Sequence, residues 1–350
     1  MEWNTSRACP RKGSGIELKD TRRSALERQR AVTFLLLLGS ASAFASPDTP
    51  PSVEPQSGSR AADSHPAGYK LVFADDFAGT ELNRSLWCTR YVYGGGSKLQ
   101  VKDAECQRNG DGTADVLNDE VQRYVDFNSH GERMHTLARG VLTLRATKTG
   151  TVDAPYEAAM IRSKRVFKPS AETSYYITAR VKLPNVRGTW PAFWLNSDRK
   201  PDGTTNWPPE IDIFEGALNE KEDTEFMLRI GAQIRSSAQT ASGKREITFS
   251  APGFNTRWNT YKSTRSLRDT WIETAVEWTT SAVCYFIDGY KVMCENYSWN
   301  YNYGDSAAPA HVLLNLAIGG SWAGRHGIAD KKFPTDFQID HVRVYAKSQR

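Results

Sequence analysis

Glu210, Asp212 and Glu215 fall within six residues, in Pro209-Glu210-Ile211-Asp212-Ile213-Phe214-Glu215-Gly216. Crowded carboxylates raise one another's pKa. That weakens a fold but suits catalysis: one carboxyl stays protonated as a general acid while another stays ionised as a nucleophile. The Ile-x-Ile-Phe core of the stretch predicts a strand. Side chains alternate along a strand, so Glu210 and Asp212 share one face and Ile211 and Ile213 the other. Glu215 has the wrong parity. A one-residue β-bulge near Ile213–Phe214 returns it to the acidic face, and bulges are frequent beside active sites. The two glutamates then stand about 13 Å apart at Cα. Side chains leaning inward close most of that gap, towards the roughly 5–5.5 Å between carboxyl groups that a retaining glycosidase uses. Taken alone, the spacing fits a solvated acidic strand face equally well.

The rest of the chain predicts the elements that must hold these acids. From Tyr69 onward, short β-type runs are separated by turn residues. Examples are Val141-Leu142-Thr143-Leu144, Tyr175 to Val181, Ile272 to Trp278, Val312 to Leu316 and Phe337 to Tyr345. Many short strands without sustained 3.6-residue periodicity predict an all-β sandwich or barrel. No internal repeat or second composition shift divides them, so 68–347 reads as one domain. Aromatics gather around glycines: Gly188-Thr189-Trp190-Pro191-Ala192-Phe193-Trp194, Trp207, and Gly319-Gly320-Ser321-Trp322. A tryptophan in a sandwich is most often core. One on a glycine turn, such as Trp322, reads as exposed and available to stack on a ligand.

The 350 residues carry 45 Lys and Arg against 40 Asp and Glu. Residues 1–45 hold 8 of the basic residues and 4 of the acidic ones, leaving 37 against 36. The remainder is near neutrality, which implies no charge-driven nucleic-acid role. The basic run Arg22 to Arg30, the apolar run Ala31 to Leu38 and the small-x-small site Ala43-Phe44-Ala45 have the plan of a secretion signal, preceded by an N-terminal extension. The apolar run is shorter than the ~20 residues of a membrane span, so no membrane association is expected after cleavage. Ser46 to Ala67, rich in Pro, Ser and Ala, reads as a flexible leader. Cleavage leaves Cys88, Cys106, Cys284 and Cys294, which allow three pairings. Locality favours Cys88–Cys106 and Cys284–Cys294. The second pair flanks the hairpin signal Asp288-Gly289. In a strict two-residue hairpin Cys284 faces Met293, so that bridge needs a register irregularity.

Over residues 68–347 these pieces resemble glycoside hydrolase family 16, the laminarinase-like endo-glycanases. The matching segments occur in order. They are Leu71 to Phe77, Asn118-Asp119-Glu120-Val121-Gln122-Arg123-Tyr124, Met160 to Lys164, the Gly-x-Trp-Pro-Ala-Phe-Trp-Leu block, Glu-x-Asp-x-x-Glu at 210–215, Asn315 to Trp322, and Ile339 to Tyr345. The resemblance implies a β-jelly-roll of two antiparallel sheets with a concave cleft for a polysaccharide. It implies Glu210 as nucleophile, Glu215 as acid/base and Asp212 as the carboxylate assisting them. It places Trp190, Trp194 and Trp322 at sugar subsites and Asn118 and Glu120 near the cleft. Catalysis needs no cofactor. Some members carry a structural calcium by the opening and closing strands, where Asp76 and Asp340 stand.

Substrate choice is less constrained. Many β-1,3-glucanases place histidines on the strand after the acids; here Phe226 to Ile234 has none. The leading expectation is a secreted or periplasmic, monomeric endo-β-glycanase acting on β-1,3-glucan by double displacement. Agar- or carrageenan-type galactanases, exopolysaccharide glycanases and transglycosylases share the signature. A non-catalytic carbohydrate-binding jelly-roll would ordinarily have lost one of the glutamates, and both are present.

Overall fold

A computed structural model describes residues 65–91, 118–149, 155–198, 209–233, 247–251, 254–255, 259–301 and 305–348. All lie in the compact unit Arg60–Arg350. The expected secretion signal, the leader up to residue 64, Cys106 and Trp207 lie outside the described residues. The last leader residues are packed: the His65 ring stacks on Tyr345 with centroids 4.3 Å apart. Among the described residues no helix is long and apolar enough to cross a membrane.

Two sheets form the body. One has eight strands in the order Phe254–Asn255, Thr260–Lys262, Met227–Gln233, Glu210–Glu215, Thr189–Ser197, Ala310–Ile318, Met160–Ser163 and Trp87–Cys88. The other is built on Trp271–Trp278, Thr173–Lys182 and Thr335–Ser348 at its centre, with eleven strands in all. Their pairing is antiparallel except for Gln122–Tyr124 beside Tyr156–Ala158, which run parallel. This is an all-β sandwich, as the short, alternating runs predict, and the jelly-roll that the family resemblance implies.

Alternation explains the core. In Val141–Lys148 the residues Leu142, Leu144 and Ala146 are buried while Val141, Thr143 and Arg145 between them are partly exposed. In Thr189–Ser197, Phe193 and Leu195 point between the sheets, where they meet Leu314 and Val312 of Ala310–Ile318 across the ladder. Phe214 joins them and packs edge-on against Phe337 of the opposite sheet, centroids 6.2 Å apart. Each such ring, fully buried, contributes about 2–3 kcal/mol. Ala310–Ile318 is buried along all nine residues. Its inner face meets the core and its outer face, with Leu313, Asn315 and Ala317, is covered by the residues that line the cleft.

Cys284 and Cys294 are bonded and directly opposite one another. The hairpin pairs Ile287 with Tyr290 and Phe286 with Lys291, but Tyr285 with Met293. Val292 is therefore the extra residue, the irregularity that the cysteine spacing requires. Cys88 also forms a disulfide.

The calcium expectation does not fit the side chains named for it. Asp76 Oδ1 accepts N–H groups from Arg343 at 2.8 and 3.2 Å. Asp340 lies 3.0 Å from His341 Nδ1 and 3.5 Å from Arg180. Each carboxylate thus has a cationic partner inside the fold. Among the described residues no three carboxylate, His or Cys side chains converge as a metal site.

His341 is buried between Asp340 and Glu273, its Nε2 3.5 Å from the Glu273 carboxylate at ion-pair distance. Burial alone would lower its pKa; the two carboxylates outweigh that and raise it to about 9 from 6.5. A raised histidine pKa stabilises the fold fully below the unfolded value and ceases to do so above the folded one. The shift corresponds to roughly 3 kcal/mol. Replacing His341→Gln should therefore lower the thermal midpoint by several degrees at pH 6, with the gap to the parent closing by about pH 10. An equal gap at both pH values would mean that the ring acts by packing and not by charge.

Candidate active site

The acidic strand, Glu210–Glu215, lies between Thr189–Ser197 and Met227–Gln233. Glu210 pairs with Asn196 and Asp212 with Trp194, but Phe214 pairs with Phe193 and Glu215 with Ala192. Two adjacent residues of the neighbour thus span three residues of the acidic strand, and Ile213 is the extra one. On the other side Asp212 faces Gly231 and Glu215 faces Arg229. Ile211 and Phe214 stay in the core, and all three carboxylates reach the outer face. The parity conflict in the sequence is resolved by a bulge at the position where it was required.

The end of the strand is clamped. Arg268 is 2% exposed, and its Nη2 donates to the carbonyls of Gly216 and Ala217. Burial lowers its pKa to about 10, which leaves the guanidinium charged at neutral pH. The Gly216 N–H donates to Pro191 O at 2.8 Å. A Cβ at Gly216 would lie 3.3 Å from the Pro191 ring and 3.4 Å from the guanidinium, tighter than ordinary contact. These bonds set the direction in which the chain leaves Glu215.

Each acid has a distinct setting. Trp190 Nε1 donates to Glu215 Oε1 at 3.1 Å. Asn196 donates to Glu210 Oε2 at 3.3 Å, and Gln233 to Asp212 Oδ2 at 2.9 Å. The Tyr297 hydroxyl donates to the backbone of Glu210 and Gln233 and ties the two strands together. Desolvation, then the charges of Asp212 and Glu210, raise the Glu215 pKa well above the usual carboxylate range. The Trp190 bond and the Arg229 charge oppose that rise without cancelling it. Glu215 is thus poised to hold a proton beside two further acids.

A small pocket of about 50 Å3 brings together Asn118, Glu120, Trp190, Trp194, Asn315 and the three acids. A larger one of about 610 Å3 continues from Asp212 and Glu215 past Arg229, Gln233, Asn259, Trp322 and Arg325. Every tryptophan and acid singled out in the sequence for the cleft lines one of these two spaces. Trp194 is the most buried of the three cleft tryptophans; its Nε1 donates to Asn315 at 2.8 Å. Asn315 donates to Tyr124, and Tyr124 to Glu120 at 3.0 Å. Burial raises the Glu120 pKa to about 7 against the pull of its donors Gln122, Tyr124 and Asn118.

Trp322 sits on a single helical turn, Gly320–Ala323, whose entry needs glycine. Gly319 and Gly320 have φ of 78° and 69°, a region costly for other residues. A Cβ would fall 2.6 Å from Val121 and 2.5 Å from Asp119 respectively. Asp119 accepts the Ser321 N–H at 2.7 Å. The turn is thus docked on the segment that carries Asn118 and Glu120, which puts Trp322 edge-on to Trp190 at 4.9 Å.

Comparison with known proteins matches residues 122–342 to the family model for glycosyl hydrolases family 16. The chain belongs to that family. It is 27% identical over 272 residues to a beta-glucanase of Rhodothermus marinus, covering 74% of this chain and 84% of the relative. It is 26% identical over 292 residues to glucan endo-1,3-beta-glucosidase A1 of Niallia circulans, covering 80% of this chain but 38% of that longer protein. Among solved structures, the laminarinase of Flavobacterium sp. UMI-01 superposes with a TM-score of 0.55 at 28% identity, over 79% of this chain and all of the other. The family assignment makes this protein a glycoside hydrolase.

Sequence reading missed Asn196, Asp223, Arg229, Gln233 and Tyr297. Strand parity could have found Asn196, two residues beyond Trp194 on the same face. The others depend on which strands become neighbours. Substituting Gly320→Ala should destabilise the protein by about 1–3 kcal/mol. It should also displace Trp322, measured as a lower thermal midpoint and altered tryptophan fluorescence. A variant unchanged in both would show that the turn adapts to a Cβ.

Proposed function

We propose that the protein is a secreted, retaining endo-β-glucanase that hydrolyses internal linkages of β-1,3-glucan and acts as a monomer. The observation that carries the reading is the bulge at Ile213, which turns Glu215 onto the same face as Glu210 and Asp212. Relatives named as a beta-glucanase and a glucan endo-1,3-beta-glucosidase, and a neighbour named as a laminarinase, support the polymer class. The space of about 610 Å3 that opens from Asp212 and Glu215 past Trp322 is large enough for sugar residues and supports binding of a polymer.

In the proposed reaction Glu210 attacks the anomeric carbon while Glu215 gives its proton to the departing glycosidic oxygen. The oxygen leaves as the hydroxyl of the released chain, and an ester forms between the sugar and Glu210. Glu215, now ionised, takes a proton from water. The water oxygen displaces Glu210 and restores the original anomeric configuration. Asp212, held by Gln233, keeps negative charge beside Glu215 and so favours its protonated form. Trp190 and Trp322 offer ring faces for sugar stacking, and Asn118 and Glu120 offer polar contacts for hydroxyl groups.

Two experiments test this. Glu210→Ala and Glu215→Ala should each lower turnover on laminarin by about 10^3-fold or more. Added azide should restore activity and yield an α-glycosyl azide from the first variant and a β-glycosyl azide from the second. The same anomer from both, or near-parental activity in either, contradicts the assigned roles. Digestion of laminarin, lichenan, agarose and carrageenan, with product sizes followed over time, tests substrate and mode. Random internal cleavage of laminarin is expected, and preference for a galactan would replace the glucanase reading. Because Glu215 must be protonated for the first step, kcat/KM should fall as pH rises through its elevated pKa.

A further inference from the structure

Behind Glu215, on the side of the larger pocket, runs a closed circuit of side chains. Arg229 is the cross-strand partner of Glu215 and lines the same pocket. Directly opposed residues on one sheet face interact. Arg229 is gripped by Asp223, with Nε to Oδ1 at 2.6 Å and Nη2 to Oδ2 at 3.1 Å, a two-nitrogen contact that fixes a guanidinium in direction as well as place. Asp223 is 2% exposed and also accepts the Trp322 Nε1–H at 2.6 Å. The Arg229 guanidinium lies over the Trp322 ring, 5.8 Å from its centroid. Trp322 meets Trp190 edge-on, and Trp190 returns to Glu215 Oε1. Asp223 is itself fixed: its N–H donates to Asn219 Oδ1 and its carbonyl accepts the Asn219 N–H.

We propose that Asp223 and Arg229 are positioning residues for Glu215. Their ion pair, closed through Trp322 and Trp190, holds the acid/base carboxyl towards the leaving-group side and sets the charge it faces. The inference rests on the acid/base role of Glu215. Arg229 is a cation that draws the Glu215 pKa down, and Asp223 neutralises part of that cation. Loss of one or the other should therefore move the proton equilibrium of Glu215 in opposite directions. The other charges near Glu215 stay in place in both variants. They are Glu210 and Asp212 on its own strand, Arg268 against Gly216 at its end, Glu222 and Arg325 at the rim with His326 on Glu222, and Glu120 across the cleft.

The test is the alkaline limb of kcat/KM on laminarin. Arg229→Gln should move it up by about half a unit to one unit, and Asp223→Asn should move it down by a similar amount. Arg229→Lys, which keeps the charge and loses the fork, should leave the limb in place and lower kcat. In Arg229→Gln and Asp223→Asn, kcat on laminarin should fall about 10–100-fold. Turnover of a 2,4-dinitrophenyl β-glucoside oligomer, whose leaving group needs no proton, should fall far less. Should Asp223→Asn not fold, judged by near-UV circular dichroism, the contrast of Arg229→Gln with Arg229→Lys carries the test. Folded variants whose limbs do not move, or move together, overturn the proposal. Glu215→Gln separates the two levels. If it keeps the burst of dinitrophenolate release from the aryl glycoside and abolishes laminarin hydrolysis while the Arg229 and Asp223 limbs stay fixed, only the positioning inference fails. If it retains laminarin hydrolysis, the acid/base role fails and the inference with it.

Discussion

One extra residue in one strand decides what this protein can do. With regular pairing, Phe214 would turn to the cleft and Glu215 into the core beside Phe193, where an acid has no partner and the hydrophobic packing no room for it. With Ile213 inserted opposite a single step of the neighbouring strand, Phe214 stays in the core and Glu215 reaches the cleft. The bulge is kept because both faces of the strand are constrained. The apolar side must bury Ile211 and Phe214. The polar side must let three carboxylates be solvated or hydrogen-bonded. Arg268 and Pro191 close the end of the strand by bonding the carbonyls and N–H that follow the bulge.

Around that strand the fold divides its work. The eleven-stranded sheet supplies the long ladders and the core partners for the cleft sheet, such as Phe337 against Phe214. Its outer face carries charge pairs, Asp76 with Arg343 and His341 with Asp340 and Glu273. These meet the electrostatic needs of partly buried groups and leave no carboxylate cluster there for a cation among the described residues. On the cleft face, polar side chains from the eight-stranded sheet and from the segments beside it are bound to one another. Trp194, Asn315, Tyr124 and Glu120 form one such chain, and Trp190, Trp322, Asp223 and Arg229 another. The pocket walls are thus pre-organised, and a sugar entering them need not order them first.

The electrostatics follow from the same crowding. Three acids on one short strand cannot all ionise cheaply when water is largely excluded. Glu215 has its pKa driven well above the ordinary carboxylate range, by desolvation and by Asp212 and Glu210. Nearby Arg229 limits that rise but is itself tied to Asp223, so its charge is shared. The crowding thus favours the protonated form of Glu215 beside its two acidic neighbours.

Much of this was legible in the amino-acid order because it rests on local rules. Alternation of apolar and polar residues marked the strands, the parity of Glu215 demanded a bulge, and the spacing of Cys284 and Cys294 demanded a slipped hairpin. Both irregularities are where counting residues puts them. Glycines before Trp322 marked a turn that only glycine enters. What the order of residues could not reveal is which strands become neighbours. Asp223 and Arg229 are six apart, yet their meaning comes from Trp322, about a hundred positions later, and from Glu215 across the ladder. Asp76 and Asp340 looked like a cation pair until tertiary contacts supplied each with an arginine. Strand parity is a property of one segment and can be read from it. A charge's partner is set by the packing of segments far apart in the chain, and only the folded arrangement decides it.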